Sequence, residues 1–210
     1  VTGEALETAR LLAKHRAFSP DASRSIVRGL ALDALREAHD LSQLQAVWSR
    51  LDASERAMPE LVLALVARAN LLAADDTRDD GTDATVPAQI NAWMEPLWSQ
   101  FASLTGDQQR QLVLAMEPGL PGLDAVWLAR LEQSQRQWPN NPYLQYLTGQ
   151  ACRQRKLWGK AAQLLGQASH SLQEPALLRR TWCALALLAE ERGDGVGAQT
   201  AWKRAALMGD

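Results

Sequence analysis

The sequence predicts an all-α protein built from antiparallel helical hairpins. Ala, Leu, Gln, Arg and Glu dominate the 210 residues, whereas strand-forming residues are sparse, and this composition favours helices. Apolar residues recur at helical spacing, and most of the segments they define are joined by short connections, which places neighbouring helices antiparallel. Hydrophobic residues make up 47% of the chain, which is enough to bury a core.

Four apolar stripes predict helices in the first half of the chain. Their members are Val27, Leu30, Ala34 and Ala38; Leu41, Leu44, Trp48 and Leu51; Val62, Leu65, Ala69 and Leu72; and Ile90, Trp93, Leu97 and Phe101. The third stripe follows Pro59, which is tolerated in a first turn because amides there lack intrahelical acceptors. Pro96 predicts a kink in the fourth helix.

An acidic segment interrupts the pattern at residues 74–87. It contains five Asp and almost no bulky apolar side chain, which predicts a solvated loop. We tested a calcium-binding loop with Gly81 at the sixth position. The third position then falls on Arg78 and the twelfth on Pro87, so the required bidentate Glu is missing and the sequence argues against calcium.

The second half of the chain is more regular. The pattern predicts helices over Gln108–Met116, Leu123–Gln137, Pro142–Gln154, Leu157–Ser171, Pro175–Arg192 and Val196–Met208. Asn141 is the expected N-cap of the third of these helices, because its side chain can accept a hydrogen bond from a first-turn amide while Pro142 occupies the first helical position.

Small residues recur where paired helices are expected to cross. Residues 142–171 carry Gly149, Ala161, Leu165 and Ala168, and residues 175–208 carry Ala186, Ala198, Trp202 and Ala205, with Gly193 at the end of the intervening helix. Small side chains let two helix axes approach closely, and a bulky one fills the space beside them. The first predicted pair of helices fits this pattern less closely, with Leu32, Leu44, Trp48 and Leu51 at the corresponding positions.

This spacing is typical of tetratricopeptide units of about 34 residues. The predicted fold is therefore a tetratricopeptide-like right-handed α-solenoid forming a single domain over residues 1–210, with an unrelated Ala-rich helical bundle as the alternative. Stacked hairpins expose a continuous concave surface. We expect the first helix of each hairpin to line it and to form a partner-binding groove of Tyr143, Tyr146, Gln150, Arg153, Arg180, Cys183, Leu187 and Glu190.

Composition and motifs exclude several function classes. With 22 basic and 24 acidic residues, the chain has no electrostatic signature for nucleic acid. His15, His39 and His170 are far apart and lack the neighbours of a catalytic or metal site, so surface or helix-end positions are expected. The pattern therefore predicts neither an enzyme nor a resident cofactor or metal.

The cysteines and the tryptophans can be interpreted either as packing residues or as ligand-binding residues. Cys152 and Cys183 occur without a CxxC motif and are expected to be free thiols in a reducing compartment, which favours the cytoplasm. Ligation of haem by either thiol or by His170 stays open. Trp48 and Trp202 are expected to pack between helices, and Trp158 against the next hairpin.

Residues 157–161, reading LWGKA, together with Leu144–Gly149 and Trp138-Pro139, resemble the C-terminal region of the bacterial HemY family. Leu44 to Trp48, followed by Pro59-Glu60-Leu61, resemble the preceding hairpin of that family. The resemblance implies an accessory or regulatory protein of haem biosynthesis, anchored in the inner membrane by segments outside this chain. It also implies porphyrin-pathway enzymes or haem as clients. The start at Val1 instead of Met fits a soluble piece of a longer protein.

Three functions therefore remain open from the sequence. The first is a protein–protein interaction scaffold, which suits the mix of aromatic, amide and charged groups expected in the groove. The second is a haem- or porphyrin-binding module. The third is a module for self-association.

Overall fold

The computed structural model describes Thr8, Leu11 and residues 19–76 and 85–208, and within these residues the chain forms eleven α-helices and no strand. The predicted all-α class is confirmed. Contacts divide the chain into two compact units, Val1–Ala115 and Met116–Asp210, where the sequence predicted one domain. His15 and residues 77–84 of the acidic segment lie outside the described residues.

The first unit contains five helices and most of a sixth. They are α1 (Pro20–Glu37), α2 (Leu41–Arg50), α3 (Ala53–Arg56), α4 (Pro59–Asp76), α5 (Thr85–Ser99) and α6 (Gly106–Met116). Helix α4 packs against α1 and α5, and Leu35, Leu65 and Leu97 in these helices have no exposed surface. Such burial of leucine stabilises the fold by about 1.5–3 kcal/mol for each side chain.

The helices around the acidic segment extend into it from both sides. Helix α4 continues to Asp76 and α5 begins at Thr85, so the ends of the predicted 74–87 loop are helical. Pro96 lies inside α5, which continues to Ser99.

The second unit begins with a 3-10 turn at Glu117–Gly122 and contains five helices. They are α7 (Ala125–Gln137), α8 (Pro142–Gln154), α9 (Trp158–Ser171), α10 (Pro175–Glu191) and α11 (Gly195–Leu207). The side chain of Asn141 caps α8 by accepting a 3.0 Å hydrogen bond from the Leu144 amide. Gly193, with φ of 74°, follows the end of α10, where an L residue would be strained. The sequence predicts both features, the Asn141 cap of α8 and the glycine that ends α10.

Helices α8 and α9 form one closely packed pair and α10 and α11 another, with α9 against α10. The crossing of α8 and α9 leaves no room at Gly149, since a Cβ built there would lie 2.8 Å from Leu165 Cγ. The alanines predicted at the two crossings are buried, namely Ala161, Ala168, Ala186, Ala198 and Ala205.

One of the tryptophans that were predicted to pack in the core is not buried. Trp48 is buried as predicted, but Trp202 is 38% exposed, so its predicted place in the core is wrong. Its indole N–H donates a 2.7 Å hydrogen bond to Glu190 Oε1. An indole can turn its polar edge outwards when a carboxylate offers it an acceptor at the surface. Trp158 is exposed to the same extent.

No helix in the described part of the chain combines the length and the apolarity that crossing a bilayer requires.

Candidate functional site

The strongest candidate site is a groove of about 710 Å³ in the second unit, between α8 and α10. Its lining residues are Glu117, Gln150, Arg153, Pro175, Ala176, Arg179, Arg180, Cys183, Ala184 and Leu187. The α10 members recur every three or four residues, so they form one stripe along that helix. The stripe combines small apolar, thiol and guanidinium groups.

A chain of hydrogen bonds runs beneath and along the groove. Tyr146 in α8 donates its phenol proton to Glu117 Oε1 at 2.5 Å, and Arg180 in α10 donates to Glu117 Oε2 at 2.5 Å. Gln150 Nε2 donates to the phenol oxygen of Tyr146 at 3.2 Å. Glu117 therefore joins the first helices of two successive helix pairs through its two carboxylate oxygens.

The chain continues towards the other end of the groove. Arg153 Nε donates to Gln150 Oε1 at 3.3 Å, and Arg153 also forms a 2.8 Å ion pair with Glu191 at the end of α10. The Arg153 side chain is only 14% exposed. Because each group is both oriented and partnered, the network keeps the polar groups of the groove in defined positions.

The environment of Tyr146 keeps its phenol neutral. Burial raises the pKa of Tyr146 far above its ordinary value of 10.0, and the nearby Glu117 carboxylate raises that pKa further. An ionised phenolate would lose its hydration and would repel Glu117. The side chain therefore acts as a hydrogen-bond donor that holds Glu117 in place.

The structure separates the eight residues predicted for the groove into two sets. Five of them line it, namely Gln150, Arg153, Arg180, Cys183 and Leu187. The other three do not. Tyr146 has no exposed surface and lies below the groove, Tyr143 donates a 2.5 Å hydrogen bond to Glu174, and Glu190 accepts from Trp202. The prediction that these three side chains line the groove is therefore corrected, since none of them is among its lining residues.

Glu117 lines the groove, but helical periodicity did not predict it. It lies in the irregular stretch before α7, outside the hairpin pattern from which groove residues were inferred. Helical periodicity carries no information about a carboxylate that a 3-10 turn brings against two distant helices. Arg179 was also omitted, although it directly precedes Arg180 on the same helix.

The two thiols differ in their surroundings. Cys152 is buried, whereas Cys183 is partly exposed and lines the groove, and neither forms a disulfide. Burial raises the pKa of the Cys152 thiol, so this sulfur stays protonated and unreactive.

The remaining titratable groups that the structure describes do not converge into a metal site. His39 follows the end of α1 and His170 lies in the last turn of α9, both exposed, as the sequence predicted. Among the residues that the structure describes, no cluster of three or more His, Cys, Asp or Glu has the arrangement to hold a metal ion.

A second groove of about 760 Å³ lies within the first unit, between α1, α4 and α6. Arg36, Glu60 and Asp107 are among the charged residues that line it. Arg36 pairs with Asp33 and Asp107 pairs with Arg110, each within its own helix. The groove of the second unit is the better organised candidate.

Comparison with known proteins assigns no family to the chain. No protein-family model matches it, and neither the curated proteins nor the solved structures include a significant match.

Proposed function

We propose that this chain is a helical-repeat scaffold that binds a protein client in the groove between α8 and α10. The α8–α9 and α10–α11 pairs would be two tetratricopeptide-like hairpins of a right-handed solenoid. The crossing at Gly149 and Leu165 supports this reading, because the axes approach closely where the repeat places a small residue. In such a solenoid, the first helices line the concave surface.

The observation that carries the proposal is the composition of the groove wall. Residues from α8 and α10 line one continuous groove that offers guanidinium, amide, thiol and apolar side chains together. This mixture suits a peptide or protein surface, which presents hydrogen-bonding groups and apolar side chains at short intervals. Leu187, with 38% of its surface exposed, offers an apolar contact for the client.

We further propose, on the sequence resemblance alone, that the client belongs to haem biosynthesis. The HemY-like segments at residues 44–48 and 138–161 motivate this assignment. The chain would then be the part outside the bilayer of an inner-membrane accessory protein, with porphyrin-pathway enzymes as its partners.

Site-specific photo-cross-linking tests the scaffold proposal. A photoreactive amino acid replaces Leu187 in the groove, and a matched variant carries it at Leu207, which is 85% exposed near the end of α11 and outside the groove. After irradiation in lysate of the source organism, mass spectrometry identifies the adducts. We expect a defined client at position 187 and none at position 207.

Three results would contradict that expectation in different ways. Equal capture at both positions would show nonspecific contact, and no adduct at position 187 would remove the groove from the function. Adducts consisting of a second copy of the chain would favour self-association instead.

A haem or porphyrin ligand is the alternative, and Cys183 is the observation that favours it. Its thiol lines the groove together with Arg180, so a sulfur ligand and a partly exposed cation that could approach a propionate occur together. A haem titration of the purified chain tests this alternative. A shifted Soret band that is lost in Cys183→Ala supports it, and an unchanged band eliminates it.

A further inference from the structure

We infer that a groove lined by α7, α8 and α9 binds the main chain of an extended peptide segment through side-chain amides. This amide groove has a volume of about 510 Å³ and lies within the second unit. It shares no lining residue with the groove between α8 and α10, so the inference concerns a site beyond the proposed function. It follows from an unused buried acceptor, the amides around that acceptor and their spacing along α9.

The amide groove offers hydrogen-bonding groups without an unpaired carboxylate or guanidinium. Its lining residues include five primary amides, namely Gln135, Asn140, Gln145, Gln163 and Gln167. Each of these groups has an acceptor oxygen and a donor nitrogen. Lys160 pairs with Glu132 at 2.8 Å, and no Asp, Glu or Arg is among the described residues that line the groove. The wall therefore favours a partner rich in uncharged donors and acceptors.

Gln145 supplies an acceptor that the fold leaves unused. Only 4% of this residue is exposed, and its Nε2 donates a 2.7 Å hydrogen bond to the carbonyl oxygen of Pro139. That bond fixes which end of the amide carries the oxygen. Oε1 accepts no hydrogen bond from any residue that the structure describes. Native structures rarely leave a buried polar atom unpaired because its desolvation is costly, and an N–H donor in the groove would remove that cost.

Gln163 and Gln167 place two further amides in register with an extended chain. Both side chains are exposed on α9, and neither has a partner in the described part of the chain. They lie four residues apart, which is about 6 Å along a helix, and alternate residues of an extended chain are about 6.6 Å apart. The N–H and C=O groups of one extended residue point to the same side. Each glutamine can therefore accept from the N–H and donate to the C=O of alternate residues.

The same spacing distinguishes a peptide from a sugar, which would also offer donors to Gln145. Binding sites for ring-shaped ligands are commonly lined by apolar and aromatic side chains, and no aromatic residue is among the described lining residues of the amide groove. A regular row of amides instead matches a main chain, in which donors and acceptors repeat at fixed intervals.

Fluorescence anisotropy with two dye-labelled peptides tests the inference on the full chain. The first is a blocked heptapeptide of alternating serine and threonine, and the second is the same peptide methylated at every internal main-chain nitrogen. Methylation removes the N–H donors and keeps the side chains. We expect the first peptide to bind about tenfold more tightly, as for two main-chain hydrogen bonds.

A double variant locates the contact. Gln163→Met together with Gln167→Met keeps side chains of similar length without their polar groups and should abolish the preference for the first peptide. Both sites are exposed, and circular dichroism would verify that the variant is folded. The matched control Gln199→Met, on an exposed site of α11 outside the amide groove, should keep the preference.

Nuclear magnetic resonance examines the buried acceptor directly. The side-chain carbonyl ¹³C resonance of Gln145 should shift when the first peptide is added and should stay in place with the methylated peptide, because only the first can donate to Oε1. This readout does not require a substitution at a buried position.

Several results would overturn the inference. They are equal binding of the two peptides, binding of neither, a preference that survives in the double variant, and a Gln145 resonance that the first peptide leaves unchanged. A shift of that resonance with maltose, when neither peptide binds, would identify a carbohydrate instead and would also overturn it. The scaffold proposal is tested separately, since the cross-linker at position 187 reports on the groove between α8 and α10.

Discussion

Tyr146 donates a 2.5 Å hydrogen bond to Glu117, a residue 29 positions earlier in the chain. The phenol has no exposed surface, and the second carboxylate oxygen of Glu117 accepts from Arg180. One carboxylate in a 3-10 turn thereby connects α8 with α10. Because the contact joins the floor of the groove to one of its guanidinium groups, we expect stability and binding to depend on it together.

Removal of the phenol oxygen should destabilise the second unit. In Tyr146→Phe, Glu117 loses a donor and Gln150 loses an acceptor, and unpaired buried polar groups cost about 1–3 kcal/mol each. We expect a loss of about 2 kcal/mol in the free energy of unfolding, measured by urea denaturation with far-UV circular dichroism. Tyr143→Phe is the control, and its loss should be smaller because solvent reaches that half-buried phenol. Equal losses would refute this account.

Stability should also fall at alkaline pH because of Tyr146. The unfolded phenol ionises near pH 10, whereas the raised pKa keeps the folded phenol protonated at that pH. Above pH 10 the unfolded state binds fewer protons, so the free energy of unfolding decreases as pH rises. Between pH 9 and pH 11 this contribution should be about 1.4 kcal/mol. It should be absent from Tyr146→Phe, and parallel pH profiles of the two proteins would contradict the assignment.

The crossing of α8 and α9 predicts opposite effects for two glycine substitutions. Gly149→Ala places a Cβ 2.8 Å from Leu165 Cγ and 3.2 Å from the Leu165 backbone nitrogen, and such overpacking costs about 1–3 kcal/mol. Gly166→Ala, in α9, meets nothing within 4 Å and should gain up to about 1 kcal/mol from helix propensity. Thermal unfolding would measure both changes. A stabilising Gly149→Ala would mean that the helices are not in close contact there.

The two cysteines should differ in reactivity. Cys183 is partly exposed in the groove and should react readily with a maleimide, whereas Cys152 is buried with a raised pKa and should react only after unfolding. Mass spectrometry of the labelled chain should show one adduct under native conditions and two in denaturant, with Cys183→Ser losing the native adduct. Rapid native labelling of Cys152 would contradict its placement.

Local signals predicted much of the second unit correctly. Asn141 with Pro142 marked the start of α8, and Gly193 marked the end of α10, because capping and left-handed backbone depend on residues adjacent in sequence. Gly149 was identified as a crossing residue from spacing alone. These features are readable because the interactions that produce them repeat at fixed distances along the chain.

Side-chain direction was harder to predict. Tyr146 and Gln150 share a face of α8, yet Tyr146 has no exposed surface, whereas Gln150 keeps 8% of its surface exposed and lines the groove. Trp202 occupies a position where a bulky core residue was expected, but Glu190 offers its indole nitrogen an acceptor at the surface. Helical spacing predicts which residues share a side of a helix, but it does not predict which other part of the chain packs over each turn of that helix.

The sequence by itself determined the all-helical class, the second-unit helices to within about two residues and the small residues at the hairpin crossings, because backbone capping and helical periodicity are local properties. Only the tertiary structure decided that Glu117 reaches both Tyr146 and Arg180, at separations of 29 and 63 residues. A contact at that distance depends on how a turn folds against two separate helices. No pattern of neighbouring residues encodes it.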